Sequence, residues 1–233
     1  MSLLAALVQL LGPAPAGETA DFRLQPGDQI VAIGDSITQA GGYLRDVDAV
    51  LAKAYPDLKL PRIINVGISG QKAEDMVARF QKDVIDQKPQ VVTISVGIND
   101  VWHRVGAPHD PAVLERYKSN VRKMVEMAQS AGATVILVAP TLIQEDPASE
   151  GNQRLKLYVA AEKEIAAERK CRFADLHQLF LDALAKKPAD AGNKWLTSDG
   201  VHMNPRGDAL MALGLLRAIG VPDSKFAAAP AKQ

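Results

Sequence analysis

The chain has 233 residues, 47% hydrophobic and 23% charged, with Lys plus Arg equal to Asp plus Glu at 27 each. This excludes a disordered or fibrous chain and supports a single domain with one substantial core. With no net charge and no basic run interleaved with aromatics, nucleic acid is not expected as a partner.

The chain opens on an apolar run, residues 3–11, followed by Gly12-Pro13-Ala14-Pro15-Ala16-Gly17. A run of that length ending in an Ala-x-Ala step resembles a signal peptide cleaved after Ala16, which implies export to a periplasmic or secreted location. It is too short to cross a bilayer, so no integral membrane segment is expected. No Lys or Arg precedes it, and the competing reading is an amphipathic N-terminal arm on a cytoplasmic protein. Residues 1–20 are therefore set apart from a domain spanning 21–222.

Within that domain five short runs rich in Val, Ile and Leu alternate with longer segments of helical spacing. The runs are 29–33, 62–66, 91–96, 134–139 and 172–176, and their continuous apolarity predicts strands covered on both faces. Between them, Met76, Val77, Phe80 and Val84 share one helical face. Val113, Leu114, Tyr117, Val121, Met124 and Val125 share a second; Leu155, Tyr158 and Ile165, then Leu210, Leu213 and Leu216, mark two more. Alternating strands and helices imply right-handed crossovers and a flavodoxin-like three-layer α/β/α sandwich around a parallel sheet. Cys171, the only cysteine, opens the fifth run and reads as a small buried residue. Residues 223–233, with Ala-Ala-Ala-Pro-Ala-Lys, read as a disordered tail.

In open sheets of this kind ligands bind beyond the carboxyl ends of the strands. Gly34-Asp35-Ser36, Gly67-Ile68-Ser69-Gly70 and Gly97-Ile98-Asn99-Asp100 each follow a predicted strand immediately and so share one rim. Segment 144–151, after the fourth strand, is a candidate wall or lid. Ser36 follows a glycine at a sharp turn, where its hydroxyl would be exposed. Asp199 and His202 are three residues apart, close enough for the carboxylate to accept the imidazole Nδ1 hydrogen and leave Nε2 free as a base. Asn99 offers a side-chain amide, and Gly70 and Ser36 offer backbone N–H groups, as donors to an oxyanion. Each feature has a plainer reading alone: a cap at Asp35, Ser36 or Asn99, a positive φ at Gly70, a surface pair at Asp199 and His202. Trp102 and His103, just past Asn99, are candidates for lining the pocket. Dinucleotide, nucleoside-triphosphate and G-x-S-x-G elbow motifs are absent. His103, His109 and His177 do not fall at metal-ligand spacings and read as surface or packing residues.

Taken together, Gly34-Asp35-Ser36-Ile37, Gly67 to Gly70, Gly97 to Asp100 and Asp199-Gly200-Val201-His202 resemble the four blocks of the SGNH subgroup of the GDSL esterase/lipase family, with Ile37 in place of leucine. The resemblance runs from about residue 25 to 220. It implies a five-stranded parallel sheet, Ser36 as nucleophile, His202 as general base and acid, and Asp199 as the orienting carboxylate. Gly70, Asn99 and the Ser36 amide would form the oxyanion hole, and neither metal nor organic cofactor is implied. The expected reaction is hydrolysis of a small-molecule or glycan ester through an acyl-enzyme. Short acyl groups, acetyl first, fit a chain with 5% aromatic residues and no evident apolar lid. A lysophospholipase or thioesterase of the same family is the first alternative, and a non-catalytic carbohydrate-binding or interaction domain the second.

Overall fold

The computed structural model describes residues 2–12 and 24–228. Five strands, Ile30–Ile33 (β1), Ile64–Asn65 (β2), Val91–Ser95 (β3), Thr134–Val138 (β4) and Arg172–Ala174 (β5), form one sheet in the order β2-β1-β3-β4-β5. All four pairings are parallel. Every residue of β1 and β3 is buried, as continuous Val and Ile runs require when helices cover both faces. β2 lies at the sheet edge and is cut to two residues, with Asn65 exposed. Its brevity limits the unpaired edge it presents. Ile33 pairs with Ile94 and Ser95 with Val138, so the strands end level and their following loops open on one rim.

After β1 the chain forms two helices, Ser36–Ala40 (α2) and Gly42–Ala54 (α3); Leu3–Leu11 is α1. Ala73–Asp83 (α4), Ile98–Trp102 (α5), Pro111–Ser130 (α6), Glu150–Arg169 (α7), Leu176–Ala185 (α8) and Pro205–Ile219 (α9) complete the set among the described residues. Helix α9 packs on β4, β5, α3 and α8, while α6 packs on β4, α4 and α7. Two helical layers thus enclose the sheet. The stripes read from the sequence face inward: Met76, Phe80 and Val84; Tyr117, Val121, Met124 and Val125; Leu155, Tyr158 and Ile165; Leu210, Leu213 and Leu216 are all buried.

The fifth strand stops at Ala174 because Asp175 caps α8, accepting from the Gln178 amide at 3.1 Å. At the N-terminus α1 packs against α9 and α8, burying Leu4 and Leu7, while the Ala-x-Ala step lies outside the described residues. Of the segment read as a tail, only the first part is described. Residues Asp223–Ala228 form a 3-10 helix, tied down by the Asp223 carboxylate on Arg217 (2.7 Å) and by Lys225 over the Tyr55 ring; 229–233 lie outside the described residues. No helix among the described residues is long and apolar enough to cross a membrane.

Candidate active site

The sheet order reverses between β1 and β3, and the segments that follow these two strands meet there. After β1, Asp35 turns its buried carboxylate onto the amide of Ile37 (2.9 Å) and so caps α2. Burial pushes that carboxyl up to about 6 despite the hydrogen bond. Because Asp35 takes the capping role, the Ser36 side chain is released from it. Ser36 is half-buried, and its Oγ lies 2.8 Å from His202 Nε2 across 166 residues of sequence.

The other half of the pair comes from the loop before α9. Asp199 Oδ1 accepts the amides of Val201 (2.9 Å) and His202 (2.7 Å), and Oδ2 lies 2.6 Å from His202 Nδ1. One carboxylate therefore folds its own turn and orients the ring. Burial would raise the Asp199 carboxyl, but the imidazole hydrogen bond and those two amides outweigh it and hold it down to about 2. With Nδ1–H committed to Asp199, Nε2 presents its lone pair to Ser36. The loop is pinned at its far end by Asn204, whose Oδ1 caps α9 through the amides of Arg206 and Gly207. Its Nδ2 donates to the carbonyls of Lys194, Trp195 and Thr197. As sequence, Asn204-Pro205 signals only the start of a helix.

Asn99 and Gly70 approach the serine from the neighbouring loops. Asn99 is buried in the first turn of α5, and one hydrogen of its Nδ2 goes to the Gln71 carbonyl at 3.1 Å, leaving the second available. That contact ties α5 to the loop carrying Gly70. A second tie is Asp100, buried, accepting from the Ala73 amide at the start of α4 (3.3 Å). Gly67 lets this loop pass tightly over α2, since a Cβ there would stand 2.3 Å from the Gln39 nitrogen. Gly70 holds φ +77° in open space and is exposed. Among the described residues, neither the Ser36 nor the Gly70 amide donates to a protein acceptor.

Trp102 stands one helical turn beyond Asn99 and is 44% exposed. With Val105, Ile143, Gln144, Ser149, Glu150 and Gly151 it lines a cavity of about 460 Å³, which makes segment 144–151 a wall. Gln144 also donates to the Gly200 carbonyl at 2.7 Å, so the cavity adjoins the His202 loop. His103 faces elsewhere, lining a second cavity with Lys72, Glu74, Asp100 and Arg116. His177 is buried, with Nδ1 on the Thr141 carbonyl (2.6 Å), and Cys171 is half-buried with its thiol pushed up to about 11 by burial. Neither touches the serine.

Residues 32–210 match the model of a family described as GDSL-like lipase/acylhydrolase. An acetylxylan esterase of Geobacillus stearothermophilus is 32% identical over 217 residues, which is 85% of this chain and 97% of that one. Its crystal structure superimposes with a TM-score of 0.76 at 31% identity, covering 84% of this chain and 96% of the other. Related crystal structures of that esterase are of catalytic mutants in which a serine, an aspartate or a histidine is replaced by alanine. An arylesterase of Vibrio mimicus is 24% identical, with 81% of this chain and 86% of that one covered.

Proposed function

The chain belongs to the GDSL-like lipase/acylhydrolase family and is a carboxylic ester hydrolase, and from that premise we propose that Ser36, His202 and Asp199 remove short acyl groups, acetyl first, from a carbohydrate. The observation that carries the proposal is the continuous hydrogen-bonded line from Asp199 Oδ2 through the imidazole to Ser36 Oγ, with steps of 2.6 and 2.8 Å.

In the reaction, Ser36 Oγ attacks the ester carbonyl carbon as its proton passes to His202 Nε2. Negative charge on the former carbonyl oxygen is met by the amides of Ser36 and Gly70 and by the second Nδ2 hydrogen of Asn99. The carbon–oxygen bond to the alcohol breaks, and the imidazolium returns its proton to the departing oxygen. Water then enters, gives its proton to Nε2, and releases the acid by the same steps in reverse order. Asp199 stays ionised throughout and stabilises the imidazolium.

Three features support a glycan alcohol: an exposed indole face beside the site, a cavity wall containing Gln144, Ser149 and Glu150, and a relative described as an acetylxylan esterase. Lysophospholipase or thioesterase activity calls for a long apolar acyl channel, whereas this cavity mixes Gln144, Ser149 and Glu150 with Trp102, Val105 and Ile143. The test is release of acetate from acetylated xylo-oligosaccharide and from p-nitrophenyl acetate by wild type and Ser36→Ala. Intact mass after a fluorophosphonate probe accompanies it. Activity and adduct confined to wild type are expected; turnover by Ser36→Ala would remove Ser36 from the mechanism, and preference for long-chain esters would reverse the substrate assignment.

A further inference from the structure

Asp199 and His202 have side chains 54% and 46% exposed, so packing covers only part of each. Their loop carries no regular structure beyond a single bridge between Thr197 and Met203. Besides the burial of Trp195, Leu196 and Thr197, the position of the imidazole relative to Ser36 depends on what grips the loop backbone. Asn204 grips one side, as described above. On the other side stands a carboxylate from the loop after β4.

Glu145 Oε2 accepts the Trp195 amide at 2.8 Å, while Oε1 accepts the amides of Leu196 (2.8 Å) and Thr197 (2.7 Å) and the Thr197 hydroxyl (2.7 Å). Three successive backbone N–H groups converge on one side chain. From there the chain of contacts runs on, because Thr197 Oγ1 accepts the Gly200 amide (3.2 Å) and Gly200 neighbours both Asp199 and Val201. The aim of Glu145 is itself built. Gln144 is held in the left-handed region at φ +63°, a costly conformation for a non-glycine residue. Asn152 braces that bend from inside α7, accepting from the Ile143 amide (2.9 Å) and donating to the carbonyls of Gln144 (3.1 Å) and Asp146 (2.7 Å). Asn152 is fully buried.

We propose that Glu145 is a positioning residue for ester hydrolysis: it clamps residues 195–197 and thereby sets the reach of His202 to Ser36. The proposal rests on the reading that Ser36 and His202 carry the reaction. A carboxylate suits the task because four donors converge on acceptor-only oxygens, and hydrogen bonds to a charged acceptor are stronger than neutral ones. Glutamine at this position keeps the shape but turns an NH2 group onto donors at one of its two ends. A small displacement of a catalytic group costs turnover on the order of a hundredfold.

Glu145→Gln and Glu145→Ala should be compared with wild type by kcat and KM on p-nitrophenyl acetate, by thermal melting, and by the far-downfield proton resonance of the Nδ1–H shared by His202 and Asp199. Asp199→Asn identifies that resonance. The expected result is a folded Glu145→Gln whose kcat falls roughly tenfold or more with KM little changed and whose downfield proton is shifted or lost, with a larger fall in Glu145→Ala. If Glu145→Ala does not fold, Glu145→Gln decides. A folded Glu145→Gln with wild-type kcat, or with reduced kcat and an unchanged resonance, overturns the proposal. A wild-type protein that turns over no ester ends the hydrolase mechanism instead, and the resonance in wild type against Glu145→Gln still decides the clamp.

Discussion

Asn99 and Asp100 are adjacent, both buried, and opposite in what they give the site. If Asn99 donates to the developing oxyanion as proposed, Asn99→Ala should lower kcat by on the order of a hundred- to a thousandfold with little change in Tm; a steady-state assay and a melting curve on one preparation check this. Asp100 brings a carboxyl into a site that penalises its charge, and burial pushes it up to about 7 in spite of the Ala73 amide. Its folded value therefore lies above the ordinary 3.8, and between these values the native state holds more protons than the unfolded chain. The contribution of Asp100 to stability rises as pH falls from about 7 toward 3.8 and is least favourable above 7. Asp100→Asn should accordingly raise stability at pH 8, by on the order of 1–3 kcal/mol, and much less at pH 5. Denaturant melts at the two pH values measure it, and equal effects at both would show that the Asp100 carboxyl does not titrate between them. The pH–rate profile is a separate matter. Asp199, held at about 2 by the imidazole and amide hydrogen bonds, should add no acid limb of its own above that value.

Helix α1 is the element for which sequence and structure frame the sharpest question. Its apolar run resembles an export signal, yet in the folded chain Leu4 and Leu7 are buried against α8 and α9. The carbonyls of Leu10 and Gly12 accept from Lys186 and Arg217. Two leucines buried to this degree contribute about 3–6 kcal/mol as an upper bound. Arg217 lies in the last turn of α9, at the opposite end from Asn204, so α1 is remote from the serine. Replacing both Leu4 and Leu7 with Ser should lower Tm by several degrees and leave kcat well below the transition unchanged. Loss of kcat without loss of Tm would contradict that picture.

The other elements show what a sequence carries and what it does not. Buried parallel strands are legible because helices on both faces demand unbroken apolar runs, and the rim segments are legible because several of them, each with a plainer reading alone, follow such runs onto one rim. Helix α3 is harder to read: it starts at Gly41-Gly42, which signals a turn, and places buried Asp46 inside its apolar face. Glu145 leaves no signal at all, since an acidic residue in a polar loop looks solvated and its partners lie 50 to 52 residues away. The contacts of Asp223 and Lys225 are unreadable for a related reason, because Arg217 and Tyr55 lie elsewhere in the chain.

At the scale of the whole molecule, the reversal of strand order between β1 and β3 gathers the loops of Ser36, Gly70 and Asn99, and the loop entering α9 brings His202 to Ser36. The cavity walled by α5 and by segment 144–151 is the side on which we place the substrate. There Trp102 offers an exposed face on the same helix as Asn99, one turn further on. If a sugar ring is the occupant, Trp102→Ala should lower kcat/KM for acetylated xylo-oligosaccharide by roughly tenfold, the loss of about 1.4 kcal/mol of binding. It should leave p-nitrophenyl acetate nearly untouched, because that ester has no sugar to place there. If the occupant is instead an acyl chain, the same variant will spare the oligosaccharide and depress long-chain p-nitrophenyl esters. The direction of that split therefore decides whether the alcohol or the acyl group of the substrate lies along this wall.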